Sequence, residues 1–137
     1  MIGTNSQIDL PEPSPDLTRF RNRLSAGRLS FQRCDECHDA WLPPRDHCPH
    51  CLSPAFTWED ASGRARVVSW VVYHRAFHPA FADRVPYNVT VVELAEGPRL
   101  ISNVVGISAA DGLAIDTPLA LAVETEGDVP VARFRLS

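Results

Sequence analysis

The sequence predicts a mostly β fold in which a short N-terminal helix and a small cysteine-based ribbon precede a five-stranded β-barrel. Two observations carry this prediction. All four cysteines of the 137-residue chain fall in two Cys-x-x-Cys pairs that are ten residues apart. From Gly63 onwards, short runs rich in valine and leucine alternate with turn residues, which is typical of successive strands.

The N-terminal region is predicted to contain a flexible arm followed by one amphipathic helix. Residues 1–13 are polar and contain two prolines, so we expect an arm there. Within residues 14–28, Ser14 is typical of an N-cap, Pro15 of a first helical position and Gly27 of a C-terminal stop. The apolar residues of this helix recur three and four positions apart: Leu17, Phe20 and Leu24. A helix this short is marginal alone in water, so the stripe must pack on its own barrel or on a partner.

The cysteine pairs predict a tetrahedral metal site within a ribbon that covers residues 29–60. The four thiolates of Cys34, Cys37, Cys48 and Cys51 suit zinc, and a closed four-sulfur set leaves no position for water. The zinc is therefore expected to be structural. The alternative is a pair of disulfides, but the first residues lack the basic and apolar segments of a secretion signal. We therefore expect a reducing, cytoplasmic setting in which metal binding is favoured.

Three histidines lie close to the cysteines: His38, His47 and His50. They are interpreted as exposed loop residues, because four cysteines already complete a tetrahedral set.

Residues 61–137 predict a small Greek-key barrel of the OB type. Its strands are expected at Arg64–His74, Tyr87–Leu94, Arg99–Val105, 119–124 and 131–136. Turns are expected at Glu96–Pro98 and at Gly127-Asp128, and the first connection is long. Five strands with this spacing suit an OB fold. The alternative is another small β-barrel or β-sandwich, because periodicity alone does not distinguish these folds from an OB fold.

The charge is unevenly distributed along the chain. Residues 16–33 contain five arginines against one aspartate, whereas residues 34–137 contain eight arginines against fourteen acidic residues. The net charge of −4 argues against nonspecific nucleic-acid binding, and no apolar run is long enough to cross a membrane. The basic segment is either a solvated helix face or a contact surface for an anionic ligand or a partner. Its candidate contact residues are Arg19, Arg21, Arg23 and Arg28.

Two further candidates, His74 and His78, lie in the long connection after the first barrel strand. OB folds bind ligands with this loop, and its aromatic and basic residues could stack on an adenine ring. The alternative is a loop packed at a protein interface. The sequence contains no glycine-rich phosphate loop, no Gly-x-Ser-x-Gly and no His-Glu-x-x-His, and metal binding leaves no cysteine free. We therefore predict no catalytic residues.

The order of these motifs resembles a family of acyl-CoA-associated proteins that join an N-terminal helix, a rubredoxin-like zinc ribbon and a C-terminal OB fold. The likeness covers residues 14–137 and includes Gly27-Arg28-Leu29, the cysteine pairs, Pro86-Tyr87 and Glu96-Gly97-Pro98-Arg99-Leu100. One departure is that the glycine usual after each second cysteine is replaced by His38 and Leu52, which disfavour a positive φ.

The resemblance implies a function that the residues alone do not give. Members typically accompany thiolase-like enzymes and are often their obligate small subunit. The known settings are archaeal acetoacetyl-CoA thiolases, aromatic acyl-CoA thiolases and the retro-aldol lyases of bacterial steroid side-chain breakdown. The large thiolase-fold partner carries the catalytic residues, and the small protein supports the assembly and is a candidate to hold the CoA thioester. The alternatives are a single-stranded nucleic-acid-binding OB module, which rests on fold analogy alone, and an iron-loaded rubredoxin-like electron carrier.

Overall fold

A computed structural model of the chain describes residues 12–76 and 78–137. Residues 1–11, which make up most of the predicted arm, and Phe77 lie outside the described residues. Within the described residues, the fold contains one α-helix and two antiparallel sheets. The predicted mostly β class is therefore confirmed.

The helix α1, Pro15–Ser25, begins and ends as the sequence predicts. The hydroxyl of Ser14 accepts a hydrogen bond from the Leu17 N–H at 3.1 Å, which caps the first turn. At the other end, Gly27 has a φ of +82°. The N–H groups of Gly27 and Arg28 donate to carbonyls of the last turn, at 2.9 and 3.0 Å. This is the Schellman arrangement, which glycine adopts without steric cost.

Three short strands form the ribbon: β1 Ser30–Cys34, β2 Ala40–Trp41 and β3 Phe56–Asp60. They pair antiparallel in the order β2-β1-β3. The fully buried Gln32 fixes the loop that follows β2. Its Oε1 accepts from the Trp41 indole N–H at 2.7 Å and from the Arg45 N–H at 2.8 Å, while its Nε2 donates to the Arg45 carbonyl at 2.9 Å. The spacer between the cysteine pairs is therefore held by one side chain.

The second sheet has five strands: β4 Arg64–Tyr73, β5 Tyr87–Leu94, β6 Arg99–Ser102, β7 Pro118–Glu126 and β8 Val129–Leu136. Their order is β6-β5-β4-β7-β8, and each neighbouring pair is antiparallel. The sheet curls until Val104, just after β6, forms a parallel bridge with Phe134 of β8. The Val105 N–H donates to the Phe134 carbonyl at 2.7 Å across this closure. This topology is consistent with the predicted OB-type barrel.

Helix, ribbon and barrel share one hydrophobic core. Leu24 of α1, Leu29 and Phe31 pack with Val67 and Phe134 of the barrel, and all five are at most 1% exposed. The apolar stripe of the helix therefore packs on its own chain, because Leu24 is in this core and Phe20 packs against it. Of the two sequence-based alternatives for the helix, packing on its own fold is the one observed.

A second buried side chain, Asn88 of β5, holds the barrel closed. Asn88 is 4% exposed, and its Nδ2 donates to the carbonyls of Val104 and Ala109, both at 2.8 Å. Its Oδ1 accepts from the Val104 N–H and from the Thr90 hydroxyl, also at 2.8 Å. The amide thus uses both donors and both lone pairs to join the loop after β6 to β5.

Replacing Asn88 with alanine is expected to lower the free energy of unfolding by about 3 kcal/mol, because three backbone groups lose a buried partner. Urea denaturation followed by circular dichroism measures this. The exposed helical residue Asn22 gives a control, and Asn22→Ala is expected to stay within about 0.5 kcal/mol of wild type. A loss below 1 kcal/mol for Asn88→Ala would show that the network contributes little.

Candidate metal centre

The four cysteine sulfurs lie together in a compact cluster. The Sγ atoms of Cys34 and Cys51 are 3.5 Å apart, those of Cys37 and Cys48 are 3.6 Å apart, and all four lie within 4.8 Å of one another. A tetrahedral zinc ion with Zn–S bonds of about 2.3 Å requires sulfurs about 3.8 Å apart. The donor set and its spacing therefore fit one four-coordinate ion.

The two cysteine turns repeat the same hydrogen bonds. Sγ of Cys34 accepts from the N–H groups of Glu36 and Cys37, both at 3.4 Å. Sγ of Cys48 accepts from the N–H groups of His50 and Cys51, at 3.3 and 3.4 Å. The donors to Cys34 stabilise its thiolate form. The hydrogen bond from the Cys37 N–H is the main cause that lowers the pKa of Cys34 to about 7. Each turn therefore aims two backbone dipoles at a sulfur that would bind the ion.

His38 and Leu52 adopt the turn conformation that glycine favours. Both have a φ of +67°, and their N–H groups donate to the carbonyls of Cys34 and Cys48 at 3.1 and 2.9 Å. The geometry is thus kept without glycine, at a steric cost of about 1 kcal/mol per residue. The surrounding bonds determine the turn strongly enough to hold it.

The histidines near the cluster do not join it. All three are exposed: His38, His47 and His50. Among the described residues, the side chains placed to bind a metal ion together are those of the four cysteines. Their interpretation as exposed loop residues is confirmed.

Two of the predicted contact arginines are paired within the chain. Arg23 binds Asp60 of β3 in a bidentate manner, with Nη2 at 2.7 Å from both carboxylate oxygens. Arg28 adds a contact of 3.3 Å to the same carboxylate. The hydrogen bond from Arg23 is the main cause that lowers the pKa of Asp60. Asp60 was not singled out by the sequence, because only the fold brings it beside the helix.

The other two arginines are less constrained. The Arg19 guanidinium lies 5.5 Å from the centre of the Trp58 ring, a cation–π contact. Arg21 has no hydrogen bond or ion pair within residues 12–76 and 78–137. Arg19 also lines a shallow groove along the helix with these residues: Pro13, Pro15, Thr18, Asn22 and Arg23. Of the basic segment, Arg19 and Arg21 are therefore the residues that stay available to a ligand.

The predicted histidines of the long loop have different surroundings. His74 is exposed, whereas Nδ1 of His78 accepts the Ala80 N–H at 3.0 Å and so caps the 3-10 turn Pro79–Phe81. The Phe81 ring lies 5.9 Å from His78 and 6.2 Å from Tyr87. The loop thus contains a small aromatic cluster.

An ion pair anchors this loop to the barrel. Arg84 binds both carboxylate oxygens of Glu126 in β7, at 2.6 and 2.7 Å, and its guanidinium lies 5.0 Å from the Phe81 ring centre. Arg133 donates to the same carboxylate at 2.7 Å. The Arg84 hydrogen bond is the main cause that lowers the pKa of Glu126 to about 2.

Two family models match consecutive parts of the chain. Residues 21–57 match the ChsH2 rubredoxin-like zinc ribbon domain, and residues 58–124 match the ChsH2 C-terminal OB-fold domain. The chain belongs to the ChsH2 family. The predicted resemblance to a helix, ribbon and OB-fold family is therefore confirmed.

Solved structures show the same fold. A chain of the Ltp2-ChsH2(DUF35) aldolase is 37% identical, with a TM-score of 0.76 over 93% of this chain and 98% of that chain. A DUF35-family protein of unknown function from Sulfolobus solfataricus is 14% identical, with a TM-score of 0.66 over 90% of this chain and 86% of that one, which shows the fold alone.

Curated relatives are longer than the matched region. A probable enoyl-CoA hydratase alpha subunit from Thermomonospora curvata is 42% identical over 79% of this chain, which spans 33% of that relative. A DUF35 domain-containing scaffold protein from Methanocaldococcus jannaschii is 31% identical over 58% of this chain and 56% of its own length. Among the described residues, no helix has both the length and the apolar composition that a membrane crossing requires.

Replacing Cys37 with serine is expected to lower the metal content and destabilise the ribbon, because metal binding in such small modules supplies folding free energy of order 10 kcal/mol. Elemental analysis is expected to find one zinc per wild-type chain and less in the variant. His50→Ala is the control and should keep the full metal content. Metal-free wild type, a red iron-loaded protein or metal loss in His50→Ala would each contradict the assignment.

The Arg84–Glu126 pair predicts a pH-dependent contribution to stability. A carboxylate with a lowered pKa stabilises the fold above its unfolded value of about 4.5, and the contribution is lost as the pH falls toward 2. Arg84→Gln is expected to lower the free energy of unfolding at pH 5 by about 1 kcal/mol, allowing for solvent screening.

At pH 3 that difference from wild type should shrink, whereas metal loss in acid affects both proteins alike. Arg75→Gln, in the same loop, is the control, because Arg75 has no ion pair among the described residues. A difference that stays constant from pH 5 to pH 3 in urea denaturation would contradict the role of this ion pair.

Proposed function

We infer that this chain is the noncatalytic small subunit of a thiolase-fold enzyme that acts on an acyl-CoA thioester. The observation that carries this is the likeness to the chain of the Ltp2-ChsH2(DUF35) aldolase, which extends over 98% of that chain. That protein is described as a pair of components with aldolase activity. The same extent of fold in this chain supports the same kind of pairing, and the aldolase favours a carbon–carbon lyase over a thiolase as the large partner. A steroid or aromatic acyl group is part of this proposal.

The polar side chains support an accessory role. The side-chain amides of Gln32 and Asn88 form hydrogen bonds with backbone and indole groups within the fold. A metal site that uses all four cysteines leaves no free thiolate. The relative from Methanocaldococcus jannaschii is described as a scaffold protein. The hydratase relative is three times as long as the part that matches, so its activity can lie in the rest of that protein.

Zinc in the cysteine cluster has a structural role in this proposal. A closed four-sulfur site orients β1 and the loop after it, and offers no position for a substrate oxygen. Reduced thiolates require a reducing compartment, so the proposal places the complex in the cytoplasm.

Arg19 and Arg21 are the proposed contacts to CoA phosphates, since Arg23 and Arg28 are paired with Asp60. Guanidinium groups bind phosphate in a bidentate manner, and Trp58 beside Arg19 offers a ring face for the adenine. His74 and His78 are proposed as partner contacts, because their loop presents an aromatic cluster at the end of the barrel.

The double variant Arg19→Glu/Arg21→Glu is expected to weaken CoA-thioester binding by the complex about tenfold at low salt, and by less at high salt. Arg135→Glu is the control, because Arg135 is exposed on β8 and has no ion pair among the described residues. Calorimetry on the assembled complex measures the change.

The isolated chain is expected to show no lyase, thiolase or hydrolase turnover of acyl-CoA. Robust turnover by the purified chain, with no large subunit detectable, would contradict the accessory role. If the double variant and the wild type bind CoA with equal affinity, the proposed phosphate contacts are wrong, but the proposed accessory role is not affected.

A further inference from the structure

The outer face of the barrel is divided into a charged half and an apolar half. Across β4, β5 and β6, the row Arg66, Glu93 and Arg99 is charged. The next two rows on the same face are mostly apolar. In the first, Val91 pairs with Ile101 on one side and with Ser69 on the other, and in the second Val71 pairs with Val89. Ile101 is 72% exposed and Val71 is 53% exposed. We call the side chains of Val71, Val89, Val91 and Ile101 the apolar face.

The apolar face adjoins a strand edge that has no partner among the described residues. β7 pairs with β4 only at Arg64–Arg66, and Val67 makes two further bonds to residues 116 and 117. A β-bulge between Val67 and Ser69 then turns β4 away from β7. Over Ser69–Val72, β4 pairs with β5 on one side, and no ladder within residues 12–76 and 78–137 covers the other side.

This edge lacks the features that usually protect an open strand. Three other outer strands carry a proline or charged residues: Glu59 and Asp60 in β3, Arg99 in β6 and Pro130 in β8. The segment Ser69-Trp70-Val71-Val72 has no charge, proline or glycine. Unprotected edges of this kind pair readily with another strand.

The charged border gives no electrostatic preference to the occupant. Glu93 pairs with Arg66 and Arg99, and Arg66 also binds Asp116. Two arginines and two carboxylates therefore satisfy each other at the border of the apolar face. An occupant is recognised by backbone hydrogen bonds and apolar contact, and not by its charge.

We propose that the Ser69–Val72 edge and the apolar face together bind an extended segment of the large enzyme subunit by β-strand addition. The added strand pairs with β4, and apolar side chains of the partner cover Val71, Val89, Val91 and Ile101. This proposal rests on the proposed function and assigns it a surface.

A second copy of this chain fits the surface less well. Antiparallel pairing of β4 with its own copy uses a two-fold axis perpendicular to the sheet, so both apolar faces stay on the same side and remain uncovered. The backbone positions of the face span roughly 10 by 7 Å from the spacing and rise of strands. Stable dimers bury about 800 Å² per partner. A larger partner can pair with the edge and also cover the face.

The test uses the large subunit that co-purifies with the wild-type chain from its host, identified by mass spectrometry and then purified separately. Val71→Arg and Ile101→Arg are expected to weaken its affinity at least tenfold. Leu52→Arg and Ile115→Arg are the controls, because both side chains are 71% exposed and lie outside the face. The controls should stay within twofold, and circular dichroism confirms that each variant folds.

Hydrogen exchange on the wild-type complex gives an independent readout. The outward amides of Ser69–Val72 are expected to exchange at least tenfold more slowly in the complex, whereas the exchange rates of the Val129 and Val131 amides of β8 should not change. Sedimentation of the chain alone should show a monomer.

The possible results separate the two claims. If the large subunit binds but Val71→Arg binds equally well and the edge amides are not protected, the surface assignment is wrong and the accessory role stands. If the chain alone is a dimer that Val71→Arg dissociates, the occupant is a second copy. If no thiolase-fold subunit binds the wild-type chain, the proposed function fails, and the surface assignment fails with it.

Discussion

The shared core is the constraint on which the rest of the structure depends. Leu24, Leu29 and Phe31 belong to the helix and ribbon part of the sequence, yet they are buried against barrel residues such as Phe134. Full burial of such side chains contributes about 1.5 to 3 kcal/mol each, so neither part is expected to be stable without the other. The Arg23–Asp60 ion pair lies at the surface of the same junction. The metal cluster, which holds the end of β1, is thereby coupled to the barrel.

This arrangement suits a molecule that organises a partner and leaves the reaction to it. The buried polar side chains act on the fold itself: Gln32 positions the loop between the cysteine pairs, and Asn88 closes the barrel. Among the described residues, the features proposed to contact other molecules are two arginines on the helix, an aromatic loop and an apolar strand edge. None of them combines a nucleophile with a base, whereas together they offer charge, ring and backbone contacts over a rigid support.

The sequence predicts the features that local chemistry determines. The helix caps, the four-sulfur cluster and the five barrel strands follow from short-range patterns such as Ser14-Pro15, Gly27 and the paired cysteines. The features that it does not predict depend on contacts distant in sequence. Asp60 binds Arg23 across 37 positions and Asn88 binds Val104 across 16 positions. The bulge after Val67 leaves an open edge that periodicity does not reveal, because alternation continues on both sides of it.

Native-state hydrogen exchange of the metal-loaded chain tests the central claim that helix, ribbon and barrel unfold as one unit. Amides that exchange only on global unfolding report its free energy, and separate cooperative units report separate values. The account predicts that the slowest amides of β1, around Phe31, and of β8, around Phe134, give the same free energy within about 1 kcal/mol. The free energies from the two strands should also decrease together as urea is added. A ribbon that opens at a much lower free energy while the barrel stays protected would contradict the account.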